Sequence, residues 1–104
     1  MQLLLRAGIF PLLLSAATAY AAPESDAAWR SYNKACLEKE NHGDYAGAEA
    51  PCVAGVKEAE RFGEFDGRLG GSLNNLAELY YNQGQYAQAE PLYKRSLADR
   101  KSVV

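Results

Sequence analysis

Apolar positions recur along this chain three and four residues apart, the spacing of helices, in two similar blocks. In the later block Leu73, Leu76, Ala77 and Tyr80 fall at i, i+3, i+4 and i+7, one face of a helix. Asn82-Gln83-Gly84-Gln85 stops it, and Gly84 suits the left-handed conformation that closes a helix. A second helix then carries Tyr86, Ala89, Leu92, Tyr93 and Leu97, with Pro91 near its first turn, where a missing N–H costs little. In the earlier block Trp29, Tyr32, Ala35, Cys36 and Lys39 share a face, Gly43 ends the helix, and Asp44 can cap the next one. Ala48, Cys52, Val53 and Val56 line the inner face after that turn, while Pro51 lies deeper than a first-turn position and leaves room for a kink.

The two blocks are copies. Asn41, Gly43, Tyr45, Ala46, Ala48 and Glu49 recur as Asn82, Gly84, Tyr86, Ala87, Ala89 and Glu90, a constant offset of 41 residues, and Asn33 and Asn74 keep the same register. Each copy reads as helix–turn–helix. Between them Arg61 to Gly71 contains four glycines, which argue against a continuous helix there. The segment is expected to be a connecting loop with Phe62, Phe65 or Leu69 tucked against the hairpins. The expected fold is all-α: two helical hairpins in a short α–α solenoid over residues 27–101. Repeat 1 spans about 29–62, the loop 63–70 and repeat 2 about 71–101.

Residues 1–21 have the order of a secretory signal: basic Arg6, an apolar run from Ala7 to Leu14, then small residues to Ala22. Ala19-Tyr20-Ala21 is the best cleavage site, Ala17-Thr18-Ala19 the second, and 22–26 a short linker. A membrane anchor is the competing reading, but the run falls short of the roughly 20 residues a span needs, and Pro11 interrupts it. The expected location is periplasmic or secreted, with no membrane span in the mature chain. Cleavage after Ala21 removes one base and no acid, leaving 10 Lys and Arg against 13 Asp and Glu, a formal charge of −3. The charges are interspersed, so neither nucleic acid nor an anionic membrane has an electrostatic footprint to bind.

Leu73, Leu76, Ala77, Tyr80, Gly84, Tyr86, Ala89 and Tyr93 together closely resemble the tetratricopeptide repeat. The offset resembles the longer kinesin-light-chain type, whose repeats run to about 42 residues rather than the usual 34. The first copy departs from the pattern, with Cys36, Lys39 and Cys52 where the family prefers small, aromatic and aromatic residues. The resemblance covers about residues 27–101 and is strongest over 72–97. It implies a right-handed stack whose first helices line a concave groove. That places Asn33, Leu37, Glu40 and Asn41, and then Asn74, Glu78, Tyr81 and Asn82, toward a partner. Asn amides can donate to and accept from an extended peptide, and Tyr81 adds flat apolar contact. Asn33 and Asn74 have the alternative of bonding within the stack.

Cys36 and Cys52 are equidistant from Asp44, so the arms of an antiparallel hairpin bring them together; the same reflection pairs Ala77 with Tyr93. A structural disulfide is expected in an exported chain, and closing such a loop contributes on the order of 3 kcal/mol. Two unbonded buried thiols are the plain alternative. A redox-active pair is the sharper one, but the spacing is not Cys-x-x-Cys and nothing visible lowers a thiol pKa.

Other chemistry is sparse. The single His, His42, lies beside Gly43 in a turn, and a metal site needs several converging ligands. No Ser or Thr has an evident Asp–His pair, and Gly70-Gly71 is not followed by a phosphate-loop Lys. The chain therefore reads as a non-enzymatic, cofactor-free module that binds a protein or peptide or associates with itself. The alternative is a stand-alone disulfide-stapled structural protein, or a truncated remnant of a longer repeat protein. Two repeats are fewer than the three or so a solenoid usually needs, which leaves Tyr86, Leu92, Tyr93 and Leu97 without a covering helix.

Overall fold

The described residues form four helices: α1 (Ala27–Asn41), α2 (Tyr45–Glu60), α3 (Gly67–Asn82) and α4 (Tyr86–Val103). The computed structural model describes residues 25–64 and 66–103. The expected leader, the first part of the linker and Phe65 lie outside the described residues. No helix among the described residues is long and apolar enough to cross a membrane. Sequential helices pack in pairs, α1 on α2 and α3 on α4, and the pairs join through α2 and α3. The architecture is the expected all-α pair of hairpins.

The two turns close with the same pair of hydrogen bonds. The N–H of Asp44 donates to the Lys39 carbonyl and that of Gln85 to the Tyr80 carbonyl, both at 2.8 Å. The N–H groups of Gly43 and Gly84 donate to Glu40 and Tyr81, both at 3.0 Å. This is the Schellman closure, and it needs a left-handed residue, here Gly43 and Gly84, each at φ 78°. Asp44 caps α2 as expected, its carboxylate accepting from the Gly47 N–H at 3.0 Å. Asp66 does the same for α3 through the Arg68 N–H, and it also holds the Arg68 guanidinium at 2.7 Å. That pairing pulls the Asp66 carboxyl down to about 2.

Helix α3 begins at Gly67, inside the segment 63–70 expected to be a loop. Glycine lowers helix propensity, but burial outweighs it here: Leu69, Gly70, Ser72 and Leu73 are all buried. The Ser96 hydroxyl reaches across from α4 to donate to the Gly70 carbonyl at 2.8 Å. Phe62 is half-buried beneath the Arg68 guanidinium, 3.6 Å from its ring centre. Pro91 is the sixth residue of α4 rather than part of its first turn, so the Ala87 carbonyl loses a helical donor there.

One core runs through both hairpins. Cys36, Ala48, Cys52, Val56 and Ala59 meet Leu69, Leu73, Leu76 and Leu79, with Trp29, Tyr45, Val53, Tyr80 and Leu92 packed around them. Ala77 and Ala89 are fully closed off, as small residues between close helices should be. The half-buried helix glycine Gly71 and the turn glycine Gly84 should respond oppositely to alanine. A Cβ at position 71 meets nothing within 4 Å, so Gly71→Ala should stabilise by up to about 1 kcal/mol. Gly84→Ala, at positive φ, should destabilise by about 1 kcal/mol. Urea unfolding followed by circular dichroism measures both.

Candidate functional site: the groove edge beside the disulfide

Cys36 and Cys52 form a disulfide, with their Cα atoms 4.8 Å apart. Helix α1 brings Cys36 in from one side, and α2, held by the Schellman turn, brings Cys52 opposite. Both are buried. One turn beyond Cys36, Glu40 lays a carboxylate oxygen 3.4 Å from the Cys36 sulfur and 3.7 Å from that of Cys52. The bonded sulfurs carry no hydrogen, so these are packing contacts. The three side chains cluster within 4.8 Å, a spacing that suits a metal. A disulfide, however, has no thiolate to offer one.

Glu40 also lies near Glu78 of α3. Burial first, and then the Glu78 charge, push the Glu40 carboxyl above its ordinary value of 4.5. Tyr93 joins the same group: burial raises its phenol, with further contributions from Glu78, Tyr81 and Glu40. No ion pair to Glu40 or Glu78 is formed among the described residues. Two carboxylates from different hairpins therefore converge on an edge flanked by tyrosines, beside a rigid crosslink.

The expected groove residues fall on α1 and α3. Leu37 is 39% and Tyr81 54% exposed, large values for apolar side chains. Asn41, Glu78 and Asn82 are exposed and Asn74 is half-buried. Asn33 accepts a hydrogen bond from the Asn75 amide at 3.0 Å, which ties α1 to α3. The bond within the stack thus runs through Asn75 rather than Asn74. Trp29 adds a second tie, its indole N–H donating to the Ser72 hydroxyl at 2.7 Å. Tyr81 stands edge-on to Tyr86, ring centres 4.9 Å apart, and the two line an open cleft of about 320 Å³ with Ala89, Glu90, Tyr93 and Lys94. His42 is exposed, and its Nδ1 lies 2.6 Å from the Glu38 carbonyl oxygen, so that nitrogen donates. Asp99 is buried with both carboxylate oxygens unpaired among the described residues.

Sequence reasoning placed Glu40 toward the groove but missed its contact with the disulfide. The signal was available, since position 40 lies one helical turn from Cys36. The tie through Asn75 had no signal beyond the adjacent pair of asparagines.

Paired hairpins with equal closures, small residues between their helices and one shared core make a repeat stack. Residues 69–104 match the tetratricopeptide repeat family. The match covers nearly all of the second hairpin and supports a tetratricopeptide repeat fold; the first hairpin lies outside it. No curated protein and no solved structure matched the chain.

Two outcomes follow from this geometry. Removing the crosslink in a Cys36→Ala, Cys52→Ala double variant should lower unfolding free energy by about 3 kcal/mol, measured by denaturant titration. Glu40 should act in the opposite direction. Its raised pKa means that the folded chain holds the proton more tightly, so stability falls as pH rises from 4.5 through the folded value. Glu40→Gln should therefore be the more stable form at pH 7 and lose its advantage below about pH 4.5, as compared by melting temperature at both pH values.

Proposed function

We propose that this chain is an exported adaptor of the tetratricopeptide type, with kinesin-light-chain-like repeat length, that binds an extended protein segment along α1 and α3. The observation that carries the proposal is the side-by-side placement of α1 and α3 with Leu37 and Tyr81 left exposed, on a fold whose second hairpin matches a repeat used for protein interaction. The unpaired Glu40 and Glu78 favour a segment with a Lys or Arg at that edge. The Cys36–Cys52 bond supports export, because disulfides persist in oxidising compartments. The repeat offset of 41 residues supports the longer repeat type. The adaptor acts by binding alone: both sulfurs are spent in the crosslink, and His42 Nδ1 is taken up by a backbone carbonyl.

A second reading, a stand-alone stapled structural protein, draws on the same disulfide. Affinity capture from cell-envelope extract separates the two. The adaptor should retain a specific partner, and Tyr81→Ala or Glu78→Lys should reduce that retention about tenfold or more, the loss of one interface anchor. Capture of nothing, or capture indifferent to both changes, would leave the structural reading standing. Mass measurement of the recovered protein should give a chain beginning at Ala22, with no alkylatable thiol before reduction.

A further inference from the structure

The step of 41 residues that relates the hairpins also identifies the face of α4 that no described element covers. On α2, Tyr45, Cys52 and Val56 enter the core shared with α3, and Glu49 lies on the same stripe. Leu69, Leu73 and Leu76 of α3 share its core, and the Tyr80 hydroxyl donates to the Glu49 carboxylate at 3.0 Å. One step on, the same stripe on α4 is Tyr86, Glu90, Tyr93 and Leu97. No described element covers it, and Tyr86 is 59% and Leu97 54% exposed. The covering face has a vacant counterpart too. One step back from Leu69, Leu73, Leu76 and Tyr80 stand Ala28, Tyr32, Ala35 and Lys39 on α1, three of them exposed.

We propose that a second copy of this chain stacks its α1 on the α4 stripe, head to tail, as α3 stacks on α2. Size is complementary. Tyr93 and Leu97 are larger than their counterparts Cys52 and Val56, while on the covering face the smaller Ala28 and Ala35 replace Leu69 and Leu76 and outweigh the larger Tyr32 in place of Leu73. The gain on one surface is matched by a loss on the other, which is what an unchanged helix spacing requires. Charge is complementary as well. The Tyr80–Glu49 hydrogen bond becomes Lys39 of the second copy against Glu90, a cation facing a carboxylate. The Asn75–Asn33 bond becomes Lys34 of the second copy against Asn74, a donor facing an acceptor. Lys39 and Glu90 now hold only exposed local pairs, with Asp44 at 3.6 Å and Lys94 at 3.0 Å, so exchanging them costs little.

The contact uses different faces of the two copies, so each added copy presents a fresh α4 stripe and assembly has no closed end point. Apart from Asn74 it uses the end faces of the stack rather than the groove residues, so its failure is distinguishable from failure of the groove reading. Sedimentation velocity over a concentration series, on the chain as purified from its host, tests it. The unaltered chain should associate with rising concentration. Lys39→Glu and Glu90→Lys should each weaken association about three- to tenfold. An equimolar mixture of the two variants sets opposite charges at every junction and should recover it. A monomer at every concentration overturns the proposal. So does association indifferent to both substitutions, which would point to another surface, or failure of the mixture to recover.

Discussion

Helix α3 is buried from two directions, and the fold rests on that double burial. Leu69, Leu73 and Leu76 join the core shared with α2, and Leu79 is wholly enclosed. Ala77 is wholly enclosed, and the Gly70 carbonyl meets α4 through the Ser96 hydroxyl. The same helix supplies Ser72 and Asn75, the two polar ties to α1. Every other helix has a largely open side. This explains how a segment rich in glycine is held helical: its conformational cost is local, while its contacts reach all three other helices.

The first hairpin needed a different solution. Where the second has Ala77 and Tyr93 at equivalent positions, the first has Cys36 and Cys52, joined by a bond. Two cysteines fill less volume than an alanine and a tyrosine, and the Glu40 carboxylate occupies part of the remaining space. Its raised pKa is the cost of that position, with burial the leading cause and Glu78 the second. The departures of the first copy from the second thus form one local arrangement, made of a crosslink and the acid packed on it.

Much of this was legible in the sequence. The offset of 41 residues revealed two copies, Gly43 and Gly84 revealed their turns, and reflection about Asp44 brought Cys36 to Cys52. These are short-range signals, fixed by helical period and turn stereochemistry. The start of α3 was not legible, because glycine propensity is local while the burial of Leu69 and Gly70 is tertiary. Nor was the choice of Asn75 over Asn74 as partner for Asn33, since adjacent residues differ by about 100° around a helix and only the packed geometry selects one. The candidate groove was legible as a set of positions. Its acidic edge emerged only when Glu40 and Glu78 were brought together from separate hairpins.

The crosslink also gives the molecule a direction of failure. Its two ends are unequally secured: α1 and α2 are joined covalently, whereas α4 is held mainly by α3 and the Arg95–Glu60 pair. Opening should therefore begin at α4, with amide exchange and protease nicking advancing from the C-terminal side toward Cys52 and then stalling. Until the bond is reduced, the last fragment to survive is the first hairpin, the copy whose sequence departs furthest from the repeat pattern.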